Sequence, residues 1–176
     1  MWSSDPGSSR RRFGLFALGG LPALAACGLK PIYGRPEAQK VIPQLAAIDV
    51  GRLYGRRGAY LRNYLLDEFN PEGIVVPPEY DLNLTLRQET NPLAIQLDNT
   101  ATRVNLILGA YFTLRRRSDG QALYDSATRR VVSYNIRTDP FATLIAEQDA
   151  ERRAAREVAR QIRTMLSLYF ADRAAA

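Results

Sequence analysis

The chain has 176 residues, of which 46% are hydrophobic, and a formal net charge of +6. Its length suits one ordinary domain with a sizeable core. The chain contains no histidine and a single cysteine, Cys27. This composition excludes Ser-His-Asp and Cys-His catalysis, the usual zinc sites and an intrachain disulfide, so we expect no metal site.

The segment before Cys27 has the parts of a signal peptide. Arg10, Arg11 and Arg12 form a positive segment, and the apolar run 13–26 is shorter than the ~20 residues of a permanent membrane span. The arginines also resemble the twin-arginine pattern for export in a folded state, with an ordinary positive segment as the alternative. Either route takes the chain out of the cytoplasm, so residues 1–26 are excluded from the predicted fold.

The apolar run ends in Leu24-Ala25-Ala26-Cys27, which has the form of a lipobox, the processing site of bacterial lipoproteins. Small residues let an extended backbone enter the peptidase cleft, and Cys27 offers a thiol to a thioether-linked diacylglycerol. A buried free cysteine is the alternative. We predict cleavage between Ala26 and Cys27 and acylation of Cys27, with palmitate-type chains. This covalent lipid is the only cofactor predicted. Gly28 favours the outer membrane, because aspartate there favours inner-membrane retention.

Cleavage leaves 176 − 26 = 150 residues with a charge of +6 − 2 = +4, since the removed segment holds three Arg and one Asp. We predict a lipidated N-terminus and extended tether at 27–43, a single domain at 44–172 and a disordered tail at 173–176. The basic residues are nearly all arginine, which suits planar binding of phosphate. The mild excess and the export signal argue against nucleic acid and favour a phosphorylated glycolipid.

Hydrophobic periodicity predicts the first elements of the domain. Residues 44–50 form a short strand, 55–58 a loop and 59–69 a helix. From Tyr80 to Arg87, apolar and polar residues alternate, which predicts a strand with one buried and one wet face. This strand could continue towards Leu97, before a turn at 98–99.

A second long strand is predicted at 102–116, followed by a hairpin turn at 118–120 and a return strand at 123–137 with a possible bulge at 125–130. Asp139 and Pro140 then open a helix that runs to about residue 171. The face of this helix that includes Glu151 is predicted to be solvated. The fold class is therefore α+β, with two helices on a four-stranded mixed, largely antiparallel sheet in the order β-α-β-β-β-α.

Five short stretches carry a resemblance to a known family. They are Cys27–Gly34 after the lipobox, Tyr80–Leu84, Thr102–Arg103, Ser133–Asn135 and Glu147–Ala150. In this order and spacing, the sequence resembles the LptE family of lipopolysaccharide-assembly lipoproteins. The resemblance covers essentially the whole mature chain, and the predicted element order agrees with the family's fold.

The resemblance implies a role without catalysis. Proteins of this family sit as a plug inside the β-barrel of LptD in a one-to-one complex, assist its assembly and bind lipopolysaccharide during its transport to the cell surface. It implies a lipid-anchored protein on the periplasmic face of the outer membrane. Arginines near strand ends are our candidates for binding the phosphates of lipopolysaccharide, with plain solvation as the alternative for each: Arg103, Arg115, Arg116, Arg117, Arg129 and Arg130.

Two other functions are considered. An auxiliary lipoprotein of another envelope lipid-transport system would share the lipobox and an α+β domain. A carboxylate-based glycan hydrolase would need two carboxyl groups across a cleft. The acidic neighbours Asp67 and Glu68 do not face each other on a helix, and the same holds for Asp149 and Glu151, so the sequence predicts no such pair.

Overall fold

A computed structural model describes the backbone of residues 36–95 and 101–175 and the side chains of residues 41–93 and 103–174. Ala26, Cys27 and the predicted turn at 98–99 lie outside these ranges. The elements in chain order are α1 (Pro36–Ala46), β1 (Ile48–Val50), α2 (Gly55–Phe69), β2 (Tyr80–Ile95), β3 (Ala101–Arg116), β4 (Ala122–Asn135) and α3 (Pro140–Ala175).

The four strands form one sheet in the order β1-β2-β3-β4. The short strand β1 runs parallel to the start of β2, while β2 with β3 and β3 with β4 pair antiparallel. We call the end of the sheet at the β3–β4 turn (117–121) the hairpin end. The predicted α+β class and the four-stranded mixed sheet are confirmed.

One face of this sheet is covered by helices. Alternate residues of β3 from Val104 to Leu114 are buried, and the helices supply the other side of the core through α2 residues such as Leu61 and Leu65 and through α3. The buried stripe of α3 consists of Ala150, Ala154, Ala155, Val158, Ala159, Ile162, Leu166 and Phe170. Its N-terminal half is mostly alanine, which lets the helix axis lie close to its neighbours.

The N-terminal boundary of the domain differs from the sequence prediction. Residues predicted as the end of an extended tether and the start of a strand form helix α1, and the first strand is reduced to Ile48–Val50. Pro36 suits the first helical turn, and Val41 and Leu45, four residues apart, are both buried in the core. Their burial outweighs the disruption caused by Pro43 inside the helix.

The predicted loop at 55–58 is also wrong, because these residues form the first turn of α2. Gly55 has a φ of 78° and begins the helix. Gly58 is buried, and a Cβ at this position would lie 2.8 Å from the Cβ of Leu53. Gly58 therefore provides close packing inside a helix, where the sequence predicted a loop.

The long strands agree with the predicted hairpins in most respects. β2 continues to Ile95 past an irregular register near Pro92, and Gly120 closes the β3–β4 turn with a φ of 67°. The predicted bulge at 125–130 is wrong, since the register with β3 is continuous there and shifts only between Leu114 and Arg115. Polar residues in this part of β4 therefore occupy both faces of a strand that pairs without a break.

Helix α3 begins as predicted and ends later. The Asp139 Oδ1 accepts a hydrogen bond of 2.9 Å from the backbone N–H of Phe141, so Asp139 caps the helix that starts at Pro140. The helix continues to Ala175, beyond the predicted end near residue 171 and into the predicted tail. Phe170 is buried near this end and gives the last turns a tertiary contact.

Glu151 corrects the predicted solvated face of α3. Its side chain is only 3% exposed. Its Oε2 accepts a hydrogen bond from Arg56 Nε at 3.0 Å and forms an ion pair with Arg56 Nη2 at 2.9 Å. Arg57 lies 3.7 Å from the other oxygen. Both arginines stand in the first turn of α2, where the helix dipole disfavours positive charge, so the carboxylate compensates both and joins α2 to α3.

We expect Glu151→Gln to lower the free energy of unfolding by about 1 to 3 kcal/mol, because it leaves two guanidinium groups without their buried counter-charge. The half-exposed arginines keep the loss below that of a fully buried pair. Urea unfolding followed by circular dichroism measures it. Glu157→Gln, at an exposed position of the same helix, is the control and should change stability by less than about 0.5 kcal/mol. Equal losses would contradict the assigned role.

Candidate ligand-binding face of the sheet

The sheet face opposite the helices, which we call the open face, is uncovered within the described part of the chain. On β3 it carries alternate residues from Arg103 to Arg115, and the register aligns them with polar residues of β2 and β4. Ile107, Tyr111 and Val131 interrupt this polar surface. Tyr111 is 59% exposed and Val131 is 48% exposed, so the open face combines polar groups with an exposed apolar strip.

A depression of about 410 Å³ lies in the middle of the open face. The register places Arg87 of β2 and Arg129 of β4 directly opposite Gly109 of β3, one on each side. Gly109 has no side chain, so the floor between the two arginines is low. The remaining lining residues are Glu89, Ile107, Tyr111, Ala127 and Thr128.

The two arginines of this depression differ in their contacts. Arg87 Nε pairs with Glu89 Oε1 at 3.0 Å, and both side chains are exposed. The guanidinium of Arg129 has no hydrogen-bond or ion-pair partner within the described ranges. Because an arginine without a partner can donate several hydrogen bonds in one plane, Arg129 is the freest anion-binding group of the depression.

Three of the predicted arginines are committed to the β3–β4 turn. Arg115 donates to the carbonyl oxygen of Gly120 at 3.1 Å, and Arg116 pairs with Asp119 at 2.9 Å. Arg117 bridges the Asp81 carboxylate and the Asp49 carboxylate, the latter at 2.8 Å, and these hydrogen bonds raise the pKa of its guanidinium. The structure therefore gives this arginine run a role in ordering the hairpin end.

The other three predicted arginines separate onto two faces. Arg130 is opposite the buried Leu108 and donates to the side-chain oxygen of Gln161 of α3, so it belongs to the helix-covered face. Arg103 lies on the open face opposite Asn135, far along the sheet from the hairpin end. Among the six candidates, only Arg129 lines the depression.

Sequence reasoning missed Arg87, Gly109 and Tyr111 as parts of one site. The alternating pattern already placed Gly109 and Tyr111 on the second strand face and Arg87 among the polar residues of its strand. What it could not supply was the register, which aligns Arg87 with Gly109 and Gly109 with Arg129. The alternation on three strands therefore indicated which face each residue occupies. The register of the strands relative to one another, which decides their neighbours, could not be predicted from it.

The ion pairs of Arg117 at the hairpin end can be tested by substitution. We expect Arg117→Gln to lower the melting temperature at low ionic strength, because it removes ion pairs that join β1, β2 and the turn. The difference should shrink in about 1 M salt, where the Debye length is ~3 Å. Arg52→Gln removes the charge of an exposed arginine without a described partner and should leave the melting temperature unchanged. An effect of Arg117→Gln that is independent of salt would contradict the ion-pair explanation.

Two features are absent from the part of the chain that the structure describes. No group of three or more His, Cys, Asp or Glu side chains there could hold a metal ion. None of the described helices combines the length and the hydropathy that a membrane-spanning segment requires.

Comparison with known proteins identifies the family. Residues 44–166 match a family model described as LptE, lipopolysaccharide-assembly, which is well over half of the chain. The chain belongs to the LptE family. The resemblance drawn from the five sequence stretches is thereby confirmed. A search of curated proteins gives no match.

Solved structures agree with the LptE assignment. A crystal structure of a protein from Caulobacter crescentus assigned as a lipoprotein shares 27% identity, with a TM-score of 0.64, over 76% of this chain and 97% of that chain. A minor lipoprotein from Acinetobacter baumannii shares 17% identity and a TM-score of 0.51 over 69% of this chain and 88% of that chain, which shows the fold alone. Membership of the LptE family assigns this protein to lipopolysaccharide assembly in the cell envelope.

Proposed function

We propose that this protein is a lipid-anchored outer-membrane subunit that occupies the lumen of the LptD β-barrel, assists its assembly and binds lipopolysaccharide on its way to the cell surface. In this proposal the protein is not an enzyme. Its partners are the barrel, in a one-to-one complex, and lipopolysaccharide, and its membrane attachment is the lipid on Cys27. Family membership supplies the setting, and the open sheet face supplies the structural support.

The observation that carries the proposal is the contrast between the two faces of the sheet. One face is packed on helices, whereas the opposite face presents polar side chains and the exposed Tyr111 and Val131 along strands of 14 to 16 residues. Strands of this length extend about 50 Å, which is longer than the ~30 Å hydrocarbon core of a membrane. A long, mostly polar surface is compatible with the polar interior of a wide barrel.

The chemistry of the depression supports binding and offers little for catalysis. Arg87 and Arg129 are cations that cannot act as general bases at neutral pH. Among the described residues, Glu89 is the only carboxylate that lines the depression, and it is paired with Arg87. A glycan hydrolase needs two carboxyl groups across its cleft, so this arrangement favours a ligand-binding role.

The proposal is tested by affinity capture from detergent-solubilised outer membranes, with a tag after Ala176 and an untagged strain as the control. We expect a large β-barrel protein in a one-to-one ratio, together with lipopolysaccharide visible on a stained gel. Capture of inner-membrane transport subunits without a barrel would overturn the proposal and favour an auxiliary lipoprotein of another lipid-transport system.

A further inference from the structure

The geometry points to a phosphosaccharide subsite in the depression formed by Arg87, Gly109 and Arg129 on the open face. The ligand class is a phosphate monoester carried on a sugar ring. This inference deepens the proposed function and rests on it for the biological source of the ligand, which would be the phosphorylated saccharide part of lipopolysaccharide. Four features of the described residues carry it.

The first feature is the spacing of the two cations. Neighbouring strands lie about 4.8 Å apart, so the backbones of Arg87 and Arg129 stand about 10 Å apart across Gly109. Both side chains line the depression. A phosphate placed over the glycine would be within reach of a guanidinium from each side, and arginine forms strong charge-assisted hydrogen bonds to phosphate oxygens.

The second feature is the glycine itself. Gly109 stands at the centre of an otherwise regular strand, where glycine weakens the sheet relative to residues with side chains. A Cβ here would meet the carbonyl oxygen of Arg87 at 3.6 Å and that of Thr128 at 4.0 Å, which are ordinary contacts. Packing therefore does not require glycine at this position. The absence of a side chain at Gly109 leaves the floor between the two arginines low, so a ligand can approach the backbone there.

The third feature is Glu89, which argues against a site for bare phosphate. Its carboxylate pairs with Arg87 through Nε, and the two terminal amino groups of Arg87 have no other partner among the described side chains. Among the described residues, the depression therefore combines two cations with one carboxylate. A sugar phosphate matches this set, because its phosphate accepts from the arginines while a hydroxyl group donates to Glu89.

The fourth feature is the apolar wall. Tyr111 is 59% exposed on the strand, two residues from Gly109, and Ile107 lines the opposite side. An exposed tyrosine ring offers a flat apolar surface with a polar tip, which suits the C–H face of a sugar ring. Inorganic phosphate would not contact this apolar wall, whereas a sugar phosphate would contact the wall, the two cations and the carboxylate together.

The test is an NMR titration of the purified full-length lipoprotein in detergent, following the backbone amide signal of Gly109. The probes are glucosamine-1-phosphate, inorganic phosphate and glucosamine. We expect the Gly109 signal to saturate at the lowest concentration with glucosamine-1-phosphate. If inorganic phosphate binds equally well, the site is a plain anion site and the inference is overturned. It is also overturned if glucosamine binds equally well, because the arginines then contribute nothing.

Variants locate the site. The double change Arg87→Gln with Arg129→Gln should weaken binding of glucosamine-1-phosphate by at least about tenfold. Gly109→Val should also weaken binding of glucosamine-1-phosphate by about tenfold. Valine suits a strand and is uncharged, so this variant tests the site without a change in net charge. Arg52→Gln is the control for net charge and should change affinity less than about twofold. An equal loss with Arg52→Gln would indicate diffuse attraction and overturn the inference.

Two changes at Tyr111 separate the sugar from the phosphate. Tyr111→Ser should weaken glucosamine-1-phosphate several-fold and leave inorganic phosphate unchanged, whereas Tyr111→Phe should preserve binding of both. Equal affinity of wild type and Tyr111→Ser for glucosamine-1-phosphate would overturn the role of the ring.

The subsite and the proposed function fail separately. If the barrel is captured by the wild-type protein but no probe shifts the Gly109 signal, the subsite is wrong and the proposed function stands. If glucosamine-1-phosphate binds at Gly109 but no barrel is captured, the subsite stands and the proposed function is wrong. If the double arginine variant no longer captures the barrel and the wild-type protein binds no probe, the two arginines contact the barrel. The inference is then overturned.

Discussion

Replacement of Cys27 by serine should leave the protein as an uncleaved precursor that carries no lipid. A serine hydroxyl cannot form the thioether to diacylglycerol, and the predicted peptidase acts on the lipidated site. The expected product therefore retains residues 1–26, whereas the processed wild type begins at Cys27. Mass spectrometry measures the retained segment and the missing acyl chains. Detergent partition measures the loss of an anchor, since two or more chains are needed for stable membrane attachment.

Gly28→Asp is the matched variant for this experiment. It keeps the cysteine and should be cleaved and acylated like the wild type, but it should be retained in the inner membrane. Separation of the two membranes by density then distinguishes processing from sorting. If Cys27→Ser shows the same size and the same detergent partition as the wild type, the lipobox prediction is wrong and Cys27 is an ordinary cysteine.

Phe170→Ala should lower the free energy of unfolding by about 3 to 5 kcal/mol, the usual cost of removing a buried aromatic side chain. Phe170 is 2% exposed, and its ring centroid lies 5.2 Å from that of Tyr80 at the start of β2. It also lies 5.3 Å from the ring of Tyr169. The contact attaches the last turns of α3 to the hairpin end of the sheet. Because a domain has a total stability of about 5 to 15 kcal/mol, this single loss is a large share of it.

Urea unfolding followed by far-ultraviolet circular dichroism measures this change, and an unchanged dependence on urea concentration shows that the same cooperative unit unfolds. Leu168→Ala is the control on the same helical turn. Leu168 is 44% exposed, so its truncation should cost less than about 1 kcal/mol. A loss for Phe170→Ala as small as that of Leu168→Ala would mean that the end of α3 does not pack on the sheet as described.

Where the sequence prediction succeeded, local chemistry decided the structure. The alternation from Tyr80 to Arg87 produced a strand with a buried face, and Asp139 capped a helix that begins at Pro140. The glycine at 120 closed the predicted hairpin turn. These signals lie within a few residues of the feature that they specify, so they survive folding unchanged.

Where the sequence prediction failed, a distant contact overrode a local signal. Residues 27–43 were predicted as an extended tether, but the burial of Val41 and Leu45 stabilises the stretch from Pro36 as helix α1. Glu151 looked like one more solvated charge on α3, until the first turn of α2 brought Arg56 to it. The partner in each case lies elsewhere in the chain, so no local pattern could reveal it.

The sequence by itself determined the α+β class, the order of the long strands, the polar and apolar faces of those strands and the family to which the chain belongs. Only the tertiary structure decided which arginines are available. Strand register, set by the packing of one face on the helices, aligned Arg87 and Arg129 across Gly109, while tertiary contacts engaged Arg117 and Arg130 with other side chains. Periodicity fixes the face on which a side chain lies, but its neighbours across the sheet depend on register, and register is a property of the folded core.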